Sequence, residues 1–104
     1  MMQTHVATRI EVIIETPAAR AVTRLLDSLG VKGYTVIPVL GGRGESGAWS
    51  REGEVGLAGG MVMVVVVVGS NRKDEIVAPL FSLLKRQMGL MTLSECEVVR
   101  PEKI

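Results

Sequence analysis

Residues 61–68, MVMVVVVV, constrain the fold of this chain more than any other stretch. Their β-branched side chains favour a strand, and the run is far too short to cross a membrane as a helix. Because no position in it is polar, such a strand needs cover on both faces. The sequence therefore predicts a central strand of a sheet with something packed against each side.

Three further strands are predicted by alternation of apolar and polar residues. Residues 8–15 form the first, and residues 33–40 form the second. Pro38 has no amide to donate to a neighbour, so the second strand is expected at an edge or at a bulge. The last strand begins at Met91, and its apolar phase shifts later, which predicts a bulge near residues 94–95.

Two helices are predicted by apolar residues at helical spacing. Thr16 is expected to cap the first helix, and Gly30 is placed to end it. The second helix is expected to end at Gly89. Pro79 lies inside its pattern, which predicts either a kink or a late start.

The predicted order is βαββαβ in one α+β domain, residues 1–104. This is the ferredoxin-like arrangement, with two helices on one face of a four-stranded antiparallel sheet. The other face has no chain left to cover it. A second subunit is therefore expected there, since the apolar strand needs cover on both sides.

Composition excludes some classes of function. Twelve Lys and Arg against 11 Asp and Glu leave a net charge of +1, so no overall field attracts nucleic acid or a membrane surface. The lone Cys96 rules out an internal disulfide and fits a reducing compartment. With no secretory pattern at the N-terminus, a cytoplasmic location is expected.

Residues 41–60 form a long connection that interrupts this apolar pattern. They hold eight of the 12 glycines and the only tryptophan, Trp49. Connections in compact domains are usually much shorter, so a structureless segment of this length is expected to be a working part. Trp49 is expected either to anchor a contact with a partner or to fold back on its own subunit.

The glycines of GGRG, residues 41–44, follow directly on a strand. Turns with positive φ would let their amides form a concavity for phosphate, with Arg43 adding a cation. A flexible hinge is the alternative, and spacing does not decide between the two. The stretch matches neither the dinucleotide fingerprint nor the P-loop.

Catalysis finds little support, and the chain is not expected to be an enzyme. His5 is expected to be solvated in a frayed terminus, and Cys96 to be a small buried apolar residue. No group of Cys, His, Asp and Glu has the spacing of a metal site.

GVKGYTV followed by GGRG and a long variable segment resembles the PII-type signalling proteins. Within them the chain is most similar to the PII-like branch associated with inorganic carbon, which includes the carboxysome-associated PII protein and the regulator of the cyanobacterial bicarbonate transporter. The resemblance covers residues 10–100.

The resemblance implies a homotrimer with nucleotides in clefts between subunits and a long T-loop that docks onto a partner. Thr35 matches the threonine at the adenine or ribose end, and Arg100 matches a basic residue lent by the neighbouring subunit. The phosphate-side turn corresponds to Gly41, Gly42, Arg43 and Gly44, and the contacts with bicarbonate or the partner to Arg43, Ser46, Trp49 and Arg51.

Departures from the family pattern narrow the range of ligands that the resemblance implies. Residues 88–91 replace the Gly/Lys-rich loop that grips ATP, and residues 41–60 lack the tyrosine that is uridylylated. Counterparts for 2-oxoglutarate binding are also missing, which argues against nitrogen sensing. The resemblance thus implies ADP or AMP, cyclic AMP among the options, together with bicarbonate, and control of a bicarbonate transporter or a carbon-fixation component. The alternatives are a metal-binding trimer of the copper-tolerance type and a slow nucleotide hydrolase.

Overall fold

The computed structural model of the chain describes residues 2–44, 47–50, 60–87 and 89–104. Two single 3₁₀ turns, Ser70–Arg72 and Pro101–Lys103, accompany the regular elements. These elements are β1 (His5–Glu15), α1 (Thr16–Ser28), β2 (Thr35–Val39), β3 (Gly41–Gly44), β4 (Gly47–Ser50), β5 (Met61–Gly69), α2 (Lys73–Leu84) and β6 (Gly89–Val98).

The main sheet has four strands in the order β2-β5-β1-β6, and every neighbouring pair is antiparallel. β3 and β4 form a separate two-stranded sheet. The order and the two crossover helices confirm the predicted ferredoxin-like arrangement. The edge position of β2 also confirms the prediction from Pro38, because proline has no N–H to donate and is tolerated in a strand that has a neighbour on one side only.

The core lies between the sheet and the two helices. Alternate residues of the two central strands point to this side, where Ile10 and Val64 are at most 1% exposed. Burying each such side chain contributes about 1.5–3 kcal/mol. The other members of this cluster are Val12, Ile14, Val22, Leu26, Val62, Val66, Val68, Ile76 and Leu80.

The opposite side of the sheet, called here the helix-free face, carries no helix among the described residues. Met61, Met63 and Val67 of β5 are half-buried there, and Ile37 of β2 is 38% exposed. The expectation of an apolar face that lacks cover within one subunit is met.

The predicted bulge in β6 is wrong. β6 pairs with β1 without a break, from His5 opposite Val98 to Ile14 opposite Gly89. The apolar phase shifts because Met91 packs against the core beside α2, whereas Cys96, further along this edge strand, lies on the helix-free face. His5 is likewise part of a strand and not of a frayed terminus.

The ends of α1 agree with the expectation at Gly30 and differ from it at Thr16, and the start of α2 decides between the two alternatives for Pro79. Gly30 follows α1 with φ of +73°, which glycine adopts readily, as predicted. Thr16 is the first residue of the helix and makes no capping hydrogen bond, since the N-cap position belongs to Glu15. α2 begins at Lys73 and runs through Pro79, which excludes the late start.

Gly89 opens β6 and does not end α2. A Cβ at this position would lie 2.9 Å from the carbonyl oxygen of Ile13 and 3.6 Å from Cδ2 of Leu84. The glycine is therefore required by the close approach of two backbones, which the helical pattern alone could not indicate.

Candidate binding cleft

An open cleft of about 410 Å³ lies over the helix-free face at the end of the sheet where β2 begins. Its size falls in the usual range of small-molecule sites, roughly 300–1,000 Å³. It is lined by Arg9, Gly33, Tyr34, Thr35, Val65, Val67, Lys103 and Ile104.

The floor of the cleft is set by strand register. Thr35 stands opposite Val65, and Val67 stands opposite Arg9, so these four side chains share one side of the sheet. Val65 is only 8% exposed. The floor is thus a flat apolar strip, bounded by a hydroxyl on one side and by a guanidinium on the other.

One wall of the cleft is the C-terminal turn, Pro101–Lys103, which lies next to the loop that precedes β2. Nζ of Lys32 donates to the carbonyl oxygen of Glu102 at 3.0 Å, and the turn closes with the amide of Lys103 on the carbonyl of Arg100, also at 3.0 Å. These bonds hold Lys103 close to Gly33, so residues from both ends of the chain meet at the cleft.

Arg9 is oriented by an ion pair on the helix-free face. Its Nε donates to Oε1 of Glu11 at 2.7 Å, and the two side chains are 41% and 32% exposed. A charge-assisted bond of this length holds the guanidinium in one direction. Arginine has five N–H donors in a planar fork, so donors remain for a ligand in the cleft.

Of the six residues predicted to contact a nucleotide, Thr35 lines the cleft. Gly41 begins β3 six residues further on, about 20 Å along an extended strand. The side chain of Arg100 points elsewhere and pairs with Glu102 at 3.1 Å. Within one subunit, therefore, Thr35 at the adenine or ribose end lies apart from the predicted phosphate-side residues that begin at Gly41.

Residues 41–44 do not form the expected amide concavity. They are an exposed, extended strand, paired with β4 from Gly41 opposite Ser50 to Gly44 opposite Gly47. Among the described residues only Gly30 and Gly47 have positive φ. The segment is also not structureless throughout, because a β-hairpin occupies its first half.

The other residues predicted for the partner loop fall only partly within the described structure. The backbone of Trp49 lies in β4, opposite Gly42. Ser46 and Arg51 lie outside the described residues.

Sequence reasoning missed Arg9, Tyr34 and Lys103. The sequence does contain a signal for Arg9. The alternation in β1 places this charge on the same side of the sheet as Val67, which belongs to the wholly apolar strand β5. Tyr34 stands beside Thr35 in the GYTV motif. Lys103 had no signal, because only the return of the chain brings it to β2.

Three findings limit the chemistry that is available in the described ranges. They contain no group of three or more His, Cys, Asp and Glu residues arranged to hold a metal ion. Cys96 is a free, half-buried thiol in β6. Within the part of the chain that the structure describes, no helix is long and apolar enough to traverse a bilayer.

The family model described as Nitrogen regulatory protein P-II matches residues 7–103, so the chain belongs to the P-II family. It is a PII-like signalling protein with the ferredoxin-like fold of that family. Signalling, and not catalysis, is what proteins of this family generally do. No curated protein matches the sequence.

Solved structures share the fold along nearly the whole chain. CPII from Thiomonas intermedia K12, bound to ADP and bicarbonate, has a TM-score of 0.84 at 25% identity, covering 99% of this chain and 98% of that one. CPII bound to ADP, AMP and bicarbonate has a TM-score of 0.89 at 23% identity, covering 99% and 97%. A PII-like signaling protein from Thermus thermophilus has a TM-score of 0.79 at 21% identity, covering 98% of each chain.

Proposed function

We propose that this chain is a sensor that binds ADP or AMP in the cleft, together with bicarbonate, and reports through residues 41–60. The observation that carries the proposal is the cleft itself, in which an apolar floor, a hydroxyl and two cations converge. CPII, a structural relative at 25% identity, is bound to ADP and bicarbonate. An adenine nucleotide has the matching chemistry, with a flat base, hydroxyls and an anionic end.

The base is placed on the strip formed by Val65 and Val67, where its apolar faces lose contact with water. The hydroxyl of Thr35 can donate to or accept from the ring or the ribose. Tyr34, 37% exposed at the cleft, adds an aromatic surface for the base. These contacts recognise the nucleoside part of the ligand.

We further propose that the working unit is a homotrimer of single-domain subunits, residues 1–104. Half-exposed Met61, Met63 and Ile37 on the helix-free face would be covered by neighbouring copies. In the trimer, Arg100 of one subunit and the loop base of another are proposed to approach the nucleotide phosphates. The loop base comprises Gly41, Gly42, Arg43 and Gly44.

The output is proposed to be a change in residues 41–60, which dock onto a cytoplasmic face of a bicarbonate transporter or onto a carbon-fixation component. Arg43, Ser46, Trp49 and Arg51 are the proposed contacts in that segment. A ligand shifts such a segment only by binding one of its conformations more tightly. The protein acts by binding and not by catalysis, in the cytoplasm.

Calorimetric titration with ADP and AMP tests the proposal. Thr35→Ala should weaken binding by about three- to tenfold, because one hydrogen bond is worth about 0.5–1.5 kcal/mol. Thr23→Ala, a matched change on α1 on the other side of the sheet, should leave binding unchanged. Absence of heat with both nucleotides, with and without bicarbonate, would reject the proposal, and light scattering that shows a monomer would reject the trimer.

A further inference from the structure

We propose that one end of the helix layer binds the surface of an anionic bilayer. This surface, called here the basic end, consists of Arg20 and Arg24 on α1 and of Phe81, Lys85 and Arg86 at the end of α2. The occupant is a layer of negatively charged lipid headgroups, and the contact is peripheral. The choice of a membrane rests on the proposed function, in which residues 41–60 dock onto a membrane transporter.

Strand register brings the basic end together with the root of the long segment. The last residue of β1 pairs with Met61, and α1 follows directly, so the first turns of α1 lie at this end of the sheet. α2 runs the opposite way and ends here, because the strand after it begins with Gly89 opposite Ile14. Val39 of β2 also pairs with Met61, so residues 41–60 leave the sheet at the same end.

Charge is segregated along the helix layer. The four cations of the basic end are exposed, and among the described residues no carboxylate forms an ion pair with them. The carboxylates of the two helices all lie at the other end, and they are Asp27, Asp74 and Glu75. Lys85 and Arg86 complement the negative pole of α2, but Arg20 stands in the second turn of α1, where a cation gains nothing from the helix dipole. Helix stability alone therefore does not account for the arrangement.

Nearby carboxylates offset only part of this charge. Glu15, the last residue of β1, is half-buried at the same end. Residues 41–60 hold two arginines and three glutamates, which gives them a net charge of −1. Four cations against these two negative charges leave two positive charges per subunit. A cyclic trimer repeats the basic end three times around its axis, which gives a broad positive surface suited to a planar anionic one.

Phe81 supplies an apolar contact on this surface. It is 55% exposed in the last turn of α2, and Nζ of Lys85 lies 5.1 Å from the centroid of its ring. An exposed ring forfeits the free energy of burial, and the chain has only three aromatic residues. Cations beside an exposed aromatic ring are typical of surfaces that bind at the boundary between headgroups and acyl chains. The combination therefore favours a bilayer over an acidic protein, which needs a matching pocket for the ring.

Co-sedimentation of the full chain with lipid vesicles tests the inference. Vesicles of phosphatidylglycerol and phosphatidylcholine in equal parts should bind the protein at low ionic strength, and vesicles of phosphatidylcholine alone should not. Arg20→Gln and Lys85→Gln should each weaken this binding about fivefold or more, which is the contribution of one cation near such a surface. Lys73→Gln, the same kind of change at the other end of α2, is the matched control and should bind as wild type.

Phe81→Ser separates the apolar contribution from the charge. It should weaken binding to the anionic vesicles about three- to tenfold and leave the salt dependence unchanged, because that dependence reports the cations. Thermal melting confirms that each variant is folded, and light scattering measures its assembly. If Phe81→Ser dissociates the assembly, the ring belongs to a contact between subunits and the inference is wrong.

Three other outcomes overturn the inference. The first is the absence of wild-type binding to anionic vesicles at low ionic strength. The second is loss of binding in Arg51→Gln while Arg20→Gln and Lys85→Gln retain it, which would assign the lipid to the long segment. The third is displacement from the vesicles by polyglutamate with no effect of Phe81→Ser, which would assign the surface to an acidic protein. Titration of wild type with ADP and AMP decides the proposed function separately, so the two failures are distinguishable.

Discussion

The two ends of β2 show how differently one strand can be used. At its start, Thr35 pairs with Val65 and lines a cleft that four parts of the chain build together. Beyond its end, the chain enters the β3–β4 hairpin, which is a separate sheet with the side chains of β3 exposed. The packed end therefore carries the proposed contacts with the nucleoside, and the accessible end is suited to contacts with other molecules.

The junction between the main sheet and the segment that follows β2 is well anchored. Val39 pairs with Met61, so the segment that follows β2 leaves and rejoins the main sheet at neighbouring positions. The amide of Thr16 donates to the carbonyl of Gly60 at 2.9 Å, which ties the return point to the start of α1. Isolated two-stranded hairpins are marginally stable, so a conformational change in the β3–β4 hairpin, beyond this junction, need not disturb the main sheet.

The largest difference is expected between two leucine truncations. Leu26→Ala removes a side chain that is 1% exposed in the core and should cost about 2–5 kcal/mol of unfolding free energy. Leu40→Ala, at the hairpin end and 79% exposed, should change it by no more than about 0.5 kcal/mol. Chemical denaturation of both variants measures the contrast. A comparable cost for Leu40→Ala would show that the hairpin end is covered in the assembly.

An intermediate difference is expected between two glycine substitutions. Gly89→Ala forces a Cβ to 2.9 Å from a backbone oxygen and should destabilise the protein by about 1–3 kcal/mol. Gly44→Ala meets nothing within 4 Å in the hairpin and should leave the melting temperature nearly unchanged. Thermal unfolding tests both. Equal shifts for the two variants would mean that the hairpin is as tightly packed as the sheet.

The smallest effect is expected at an exposed ion pair next to the cleft. Arg100→Gln breaks the pair with Glu102, whose side chains are 69% and 61% exposed, and should cost less than about 0.5 kcal/mol without nucleotide. The turn is held instead by Lys32 on the carbonyl of Glu102. Denaturant titration at low and high salt is the measurement, and a loss above about 1 kcal/mol would indicate that Arg100 supports the cleft end directly.

Much of the architecture followed from local patterns. Alternation located the strands, helical spacing located the helices, and Gly30 and Pro38 marked a helix end and an edge strand. The order of these elements leads to the ferredoxin-like fold because short connections allow few other topologies. Thr35, which the family resemblance assigned to the nucleotide site, lines the cleft.

The tertiary structure decided what local patterns could not express. Arg9 and Lys103 line one cleft although nearly the whole chain separates them, and Gly89 is a glycine because the backbone of Ile13 passes close by. The GGRG stretch is an extended strand. Its composition permits both a turn and a hairpin strand, so the sequence did not decide between them. Periodicity determines which side a residue faces along its own element. Which residues meet across elements depends on register and on the path of the returning chain.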